Sequence, residues 1–385
     1  GVHHRIRLRY RRRADGIMKR ILVLTASIGS GHSKAAEAIT MELRRLLPDA
    51  EIITVDFMAR RISIIHAFMK WIYLAMLAIV PNLYDIVYHF AGANETGKGT
   101  RIFLSYIMLP AMKRLYAHYQ PDIVVCTHPF PEGAASLLHV KKNFFLATVM
   151  TDYSLHQIWL SHHVDCYFMA THAMKMRMIA EGFSKEKLFA VGIPIANTLF
   201  SLPEKEEVRN AFAIPRDAKT LLLMGGGLGI GGIEKSLKML ESIEEGLLLI
   251  VVAGHNDRLK EKILDFASES HHTILVFGYT DCVHQLMKAS DLLITKPGAL
   301  TMSEAFSLGL PMLLHDPIPG PETDNAIYAT RHGAAVWLHP KESLANAVKY
   351  LFSGDVLDKM ACAAKRAAKP EAAGLIASYI INTYC

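Results

Sequence analysis

Twelve short apolar runs, six in each half of the chain and spaced by helical patterns, constrain the fold more than any other feature. In the first half they fall at 20–26, 51–56, 122–127, 146–151, 166–170 and 188–191. The second half restarts the pattern at 220–224, followed by 248–253, 273–277, 292–295, 311–314 and 335–338. Strand-sized runs that alternate with helices are the signature of parallel α/β architecture. The stretch between the halves is polar and carries Pro203 with a charge cluster, so it reads as a linker. The predicted fold is α/β, with two Rossmann-like parallel-sheet domains facing across a cleft. Their predicted bounds are 18–197 and 209–365, joined by a linker at 198–208. A C-terminal helix in 366–385 is expected to pack back on the first domain.

Composition narrows the class. A chain of 385 residues with 51% hydrophobic content can bury two ordinary cores, which excludes a disordered protein. The five cysteines (Cys126, Cys166, Cys282, Cys362 and Cys385) lie far apart without a CxxC spacing. They point away from a disulfide framework or zinc site and toward a reducing cytoplasm. The net charge of +6 is local, since residues 1–20 hold eight Lys/Arg against Asp15 and leave the rest near −1. Residues 1–17 lack the apolar centre of a signal peptide. They read as a basic disordered extension, with a compact chain from Met18; acidic lipid or nucleic acid is the alternative partner for them.

A second basic region, 57–119, carries seven Lys/Arg against Asp85 and Glu95. It includes Lys70, Trp71 and Tyr73 in an apolar stretch, whose uninterrupted run of 71–80 is about half of what spans a bilayer. It reads either as an interfacial segment, with aromatic rings at headgroup level and cations facing anionic lipid, or as a buried helix pair of the first domain.

The motifs carry chemistry. Residues 296–325 read KPGALTMSEAFSLGLPMLLHDPIPGPETDN. A strand ends in a Pro-Gly turn at Gly298, a helix opens with Thr301 and Glu304, and a second short strand runs into a Pro-Gly-Pro loop before Glu322. Helix amides, hydroxyls and two carboxylates thus converge at the carboxyl edge of a parallel sheet, where open α/β proteins bind ligands. Amides suit phosphate and carboxylates suit sugar hydroxyls, a pairing that points to a nucleotide-sugar. Residues 27–32 (SIGSGH) turn from the first strand into the first helix. They fail as a dinucleotide fingerprint because Lys34 occupies the third glycine position, and no GK[ST] follows for a P-loop. What remains is His32 on a tight turn at the cleft, either a general base or a helix cap. Residues 224–232 (MGGGLGIGG) match G-x-G-x-x-G without the ribose acid of a dinucleotide site, and suit a diphosphate. Tyr279 and Thr280 follow the third strand of the second half, where a base edge can be read and Tyr279 can stack, or where Tyr279 simply covers the core. His128 and His156 sit in two histidine-rich runs that close the first half. They lack metal-binding spacing and read as loop hydrogen bonders or acceptor contacts. Asp152, at a strand end, is placed to orient His32 or an acceptor hydroxyl.

With these residues in place, the chain resembles the GT-B glycosyltransferases of the monogalactosyldiacylglycerol synthase and processive diacylglycerol glucosyltransferase family. The pattern SxGxGHxxAAxA is met by 27–38, TDYxxHxxW by 151–159, and the long donor-site pattern by 296–325. A more distant likeness is to the peptidoglycan lipid-precursor N-acetylglucosaminyltransferase. The resemblance implies a UDP-sugar donor (UDP-glucose or UDP-galactose) in the second domain, and diacylglycerol approaching the first at an anionic membrane surface. It implies inversion by direct displacement, no cofactor and no metal at the diphosphate, and no nucleic-acid partner. His32 becomes the base with Asp152 nearby, and Gly226 and Gly227 face the diphosphate with Lys296. Tyr279 and Thr280 face uracil, Glu304 the ribose, and Glu322 with Asn325 the sugar. Gly298 and Thr301 complete the donor site, and Trp159 joins His128 and His156 on the acceptor side. Lys70, Trp71 and Tyr73 face the membrane, and the expected location is the cytoplasmic face of the cell membrane. One departure stands out: the distant relatives carry an arginine after G-x-P-x, where this chain has Ala196. The competing readings are a transferase of the UDP-GlcNAc type with a polyprenyl or soluble acceptor, and a non-catalytic UDP-sugar sensor.

Overall fold

The structure is a computed structural model that describes residues 19–27, 30–57, 94–225, 232–315, 317 and 320–384. The first sheet holds β1 (Arg20–Thr25), β2 (Glu51–Asp56), β3 (Ile123–Cys126), β4 (Phe145–Val149), β5 (Cys166–Met169) and β6 (Leu188–Ala190) in the order β2-β1-β3-β4-β5-β6. The second holds β7 (Thr220–Met224), β8 (Leu248–Val252), β9 (Thr273–Phe277), β10 (Leu292–Thr295), β11 (Met312–Leu314) and β12 (Ala335–Trp337) in the order β12-β11-β10-β7-β8-β9. Every pairing is parallel. All twelve apolar runs became strands, because a parallel strand covered by helices on both faces buries nearly every side chain. β3, β4, β7 and β8 are buried at every position.

Both sheets reverse their winding direction once among the described strands. In the first, the chain passes from β1 outward to β2 and then returns to the other side of β1 as β3. In the second, β7, β8 and β9 run outward before β10 pairs with the free side of β7. The crevice outside the strand ends at such a reversal is where open α/β sheets take ligands. Three helices start at these strand ends: α1 (Gly31–Leu46) and, in the second lobe, the helix Ala299–Leu308 described below, while α2 (Asn94–Tyr119) packs on the third, α3 (Pro129–His139).

α1 buries a stripe of Ala35, Ala36, Ile39 and Leu43, at spacings of three and four residues, against β1 and its neighbours. Small residues at the start of that stripe let the helix lie close to the sheet. Met108 and Met112 of α2 join the first core. No helix of the described residues is long and apolar enough to cross a membrane. The segment with Lys70, Trp71 and Tyr73 lies outside the described residues.

After α4 (His172–Ala180) the linker is more structured than its polarity suggests. Its latter part belongs to α5 (Lys205–Ala211), which is stapled to the amino edge of the second sheet. Asp291 accepts from Lys205 Nζ at 2.6 Å, Arg209 Nη2 at 2.9 Å and the Thr220 amide at 2.8 Å. The buried Arg209 spends its other donors on the carbonyls of Ala289 (2.8 Å) and Arg216 (2.7 Å). The second sheet is then wrapped by α6 (Ile233–Leu240), α7 (Asp257–Glu269), α8 (Val283–Ala289), α9 (Ala299–Leu308), α10 (Pro321–Arg331), α11 (Leu344–Leu351) and α12 (Val356–Ala367). The chain finally crosses back, and α13 (Ala372–Tyr384) packs on α1, burying Ile376, Ala377 and Ile380 in the core of the first sheet. The crossing presses against Gly192, whose φ of +103° suits glycine and whose Cβ would stand 2.4 Å from Lys369 Cβ.

Removing Asp291 leaves a buried guanidinium without its carboxylate. Asp291→Ala is expected to destabilise the second lobe by about 3 kcal/mol, read from the midpoint of urea unfolding. A midpoint equal to wild type shows that the cluster contributes no net stability.

Candidate active site

The first lobe's reversal point is closed by His32. It opens α1 at the end of β1, while Thr127 and His128 end β3 beside it. The His32 Nδ1 lies 3.0 Å from the Thr127 carbonyl and 2.6 Å from Thr151 Oγ1, and the Thr127 hydroxyl donates to the His32 carbonyl at 3.0 Å. A carbonyl only accepts, so Nδ1 carries the proton and Nε2 keeps the lone pair. The His128 ring stands edge-on to His32 at 4.5 Å. Its own Nδ1 caps α3 by accepting from the Phe130 amide at 3.1 Å. Burial lowers the His32 pKa below its ordinary value, opposed by the negative charge of Asp152 and by the Thr127 carbonyl. Burial also lowers His128, and His32 adds to that effect. The site therefore presents an uncharged imidazole at neutral pH.

Asp152 follows Thr151 directly and stands between the lobes. Burial raises its carboxyl above the usual range and His32 draws it back down; Glu322 and Asp324 raise it and Asn325 lowers it. A carboxylate and an imidazole of opposite tendency thus face each other across two strand ends.

The second lobe's reversal point lies after β7 and β10. Gly226 and Gly227, after β7, lie outside the described residues. After β10, Lys296 Nζ donates to Glu322 Oε1 at 2.6 Å, so the two residues expected at diphosphate and sugar hold one another. Gly298 is the extended N-cap of α9, and a Cβ there would meet nothing within 4 Å. No side chain caps α9, which leaves its first amides turned toward the crevice. Thr301 and the buried Glu304 project from the same turns into a cavity of ≈ 300 Å³. Tyr279, Thr280 and His284 line its second-lobe wall, and Ser30, Lys34 and Met41 of the first lobe line the other.

Several expected contacts take a different form. Tyr279 is half exposed and stacks on His255 at 4.1 Å. The Thr280 hydroxyl lies 2.9 Å from Cys282 Sγ and accepts from the Cys282 amide. Asn325 was expected at the sugar; instead it is 1% exposed, with Oδ1 accepting from the Tyr153 amide at 3.0 Å and Nδ2 donating to the Pro297 carbonyl at 3.1 Å. Its amide thus ties the Tyr153 loop of the first lobe to the Pro-Gly turn of the second, and its side chain also hydrogen-bonds the Asp152 carboxyl. Trp159 was expected on the acceptor side; it is 2% exposed in the first core, where a large ring fills space under the loop. His156 is buried as well and caps the short turn Gln157–Trp159. His284, which no motif singled out, donates through Nε2 to Glu304 Oε1 at 2.9 Å and so fixes that carboxylate. Its only sequence signal was its position five residues after Tyr279.

Among the described residues, one group combines metal-ligand types: Glu241, His271 and His272, whose ligand atoms lie within 4.8 Å of one another. It sits at the amino edge of the second sheet, away from both crevices. The His272 nitrogens are held by the Leu240 carbonyl and the Leu247 amide, and His271 by Glu241 and the Ile243 carbonyl. Those bonds account for the cluster without an ion.

Two parallel six-stranded sheets with their carboxyl edges turned toward one another make a GT-B fold. Solved structures share it: MurG of Acinetobacter baumannii is superimposed with a TM-score of 0.62 at 17% identity, covering 95% of this chain and 100% of that one. MnaA of S. aureus, solved with UDP, gives 0.65 at 16%, covering 96% and 98%. Residues 32–195 match the family described as Monogalactosyldiacylglycerol (MGDG) synthase, and 220–376 match the glycosyltransferase family 28 C-terminal domain. A processive diacylglycerol beta-glucosyltransferase of Bacillus cytotoxicus is 31% identical over 339 residues, 87% of this chain and 86% of that protein. One of Bacillus cereus strain B4264 is 30% identical over 368 residues, 94% and 93%. The chain belongs to this family of monogalactosyldiacylglycerol synthases and processive diacylglycerol glucosyltransferases.

Because Asp152 raises the His32 pKa while burial lowers it, Asp152→Asn is expected to lower it further. Histidine NMR titration, with His32→Gln assigning the signal, reads this directly. A His32 titration unmoved by the substitution shows that the two groups do not interact.

Proposed function

We propose that the chain is an inverting hexosyltransferase that moves glucose or galactose from UDP to diacylglycerol at the cytoplasmic face of the membrane. The observation that supports this most is the His32 imidazole, uncharged and with Nδ1 bound to a carbonyl, across the crevice from the uncapped start of α9. His32 Nε2 takes the proton of the acceptor hydroxyl. The freed oxygen attacks the anomeric carbon from the face opposite UDP, the bond from that carbon to the diphosphate oxygen breaks, and UDP leaves with the electron pair. UDP is an acidic leaving group and needs no proton, whereas the alcohol needs a base, so one imidazole suffices. Asp152 stabilises the imidazolium that forms, as a positioned carboxylate does in hydrolytic triads.

On the donor side, α9 amides and the loop with Gly226 and Gly227 meet the diphosphate, and Lys296 exchanges part of its contact with Glu322 for it. Glu304, steadied by His284, binds the ribose hydroxyls. The base enters the cavity beside Tyr279 and Thr280. Glu322 reads the sugar, and its carboxylate serves either epimer.

His32→Ala is expected to lower kcat by about 10²–10⁴, the range for a lost general base, with UDP affinity changed less than twofold. Wild-type turnover in that variant removes His32 from the mechanism. The rate should hold down to pH values below 6.5 and fall only as the partly buried imidazole charges. Glu304→Ala is expected to weaken UDP binding about tenfold or more by calorimetry, since a charged hydrogen bond is lost. Equal affinity places the ribose elsewhere. The function itself is tested by incubating the protein with diacylglycerol vesicles and a set of UDP-sugars, followed by mass spectrometry. A hexosyl-diacylglycerol is the expected product; transfer only to a soluble or polyprenyl acceptor, or no transfer, contradicts the reading.

A further inference from the structure

Between β4 and the turn Gln157–Trp159 the chain leaves its own lobe. Thr151 stays on His32, and two residues later Tyr153 is inserted between α9 and α10 of the other lobe. Its ring stacks on Tyr328 at 4.2 Å with 19° between the planes, and stands edge-on to Phe306 at 6.0 Å. The Tyr153 hydroxyl lies 2.8 Å from Ser303 Oγ. Ser303 gives its own proton to the Ala299 carbonyl at 2.8 Å, so Tyr153 is the donor of the pair. The Tyr153 amide donates to Asn325 Oδ1, and Asn325 donates in turn to the Pro297 carbonyl. One residue is therefore tied to the middle of α9, to α10 and, through Asn325, to the Pro-Gly turn between β10 and α9. Those are the elements that carry Glu304, Glu322 and Lys296.

Interfaces between lobes of one chain are modest, and a few buried aromatic anchors dominate such contacts. Tyr153 has the attributes of an anchor: two aromatic neighbours, a satisfied hydroxyl and a satisfied amide. Its place in the chain gives it a further consequence. It is bonded covalently to Asp152, whose carboxylate must stand close to His32 and to Glu322 at once.

We propose that Tyr153 is a positioning residue, which sets the spacing of the two lobes and thereby holds the Asp152 carboxylate against the His32 imidazole. The proposal rests on the reading of His32 as the base for its catalytic consequence, though not for its structural one. The groups that face His32 are Asp152 from the loop after β4, His128 from the start of α3, and the Thr127 carbonyl from the end of β3. Facing Asp152 from the second lobe are Glu322 and Asp324 of α10, and Lys296 pairs with Glu322. Burial keeps the Tyr153 phenol above its ordinary range, so it remains a neutral donor throughout any working pH. Releasing the latch moves Asp152 away from His32 and removes the influence that raises the imidazole. The expected sign is a lower His32 pKa.

The experiment compares wild type, Tyr153→Phe, Tyr153→Leu and Ser303→Ala by three readouts: the His32 titration by NMR, kcat and KM for transfer across pH 5–8, and UDP affinity. Tyr153→Leu should lower the His32 pKa in the same direction as Asp152→Asn. It should also lower kcat at pH 7 about tenfold or more, with UDP affinity changed less than twofold. Tyr153→Phe and Ser303→Ala should each lower kcat by about fivefold, the value of one buried neutral hydrogen bond, and the double variant by no more than either. A His32 pKa in Tyr153→Leu equal to wild type, alongside a shift in Asp152→Asn, overturns the proposal. So does a loss of kcat in Tyr153→Leu that tracks a loss of folded protein with an unmoved pH profile. Failure of the base reading looks different: His32→Ala keeps its turnover while the NMR shift in Tyr153→Leu persists.

Discussion

Parallel strands all finish on the same edge of their sheet, and this one constraint governs the rest of the molecule. It gathers twelve strand ends on two edges, and the lobes meet at those edges. Each sheet reverses direction once, which opens one crevice per lobe. His32 stands at the first crevice, and the Lys296–Glu304 stretch stands at the second. Ser30 and Lys34 thus face Thr301 and Glu304, more than 250 positions away in the chain, across one cavity. The return of α13 to α1 ties the lobes a second time, behind the cleft.

The chemistry of the cleft follows from the partial burial of its titratable groups. Burial favours the neutral form of each group, lowering His32 and raising Asp152. Their mutual attraction favours the charged forms and works against burial in both. Burial is the larger influence in both, so His32 rests uncharged with a free lone pair beside Asp152. On the other side, Lys296 and Glu322 neutralise each other at 2.6 Å. A diphosphate and a sugar together present the complementary charge and hydroxyls, so binding can exchange that ion pair for two new contacts.

The strands were legible because a parallel strand buried on both faces has no polar face to blur its pattern. His32, Asp152 and the Lys296–Glu322 stretch were legible because tight turns next to strand ends carry local signals of glycine and proline. What sequence reasoning missed lies across the lobes. The partners of Tyr153 are Ser303, Asn325 and Tyr328, all at separations that no local pattern records. Asn325 reads as a sugar ligand from its residue type and its place beside Glu322, while its bonds to the Tyr153 amide and the Pro297 carbonyl across the lobes leave no trace in the local sequence. Trp159 posed the same difficulty: an aromatic side chain at the end of a functional motif looks identical whether it faces a ligand or fills the core. The polar linker concealed α5 because its polarity is that of a charged cluster, the Lys205–Arg209–Asp291 contact, rather than of an exposed loop.

Where a nucleotide sits in the cleft decides which lobe is the donor lobe. A crystal structure of the protein with UDP tests this directly. The uridine is expected in the cavity beside Tyr279, Thr280, His284 and Glu304, with its diphosphate at the start of α9 and its terminal phosphate directed toward His32. UDP bound at the first lobe's strand ends, or at the amino edge of either sheet, contradicts the account.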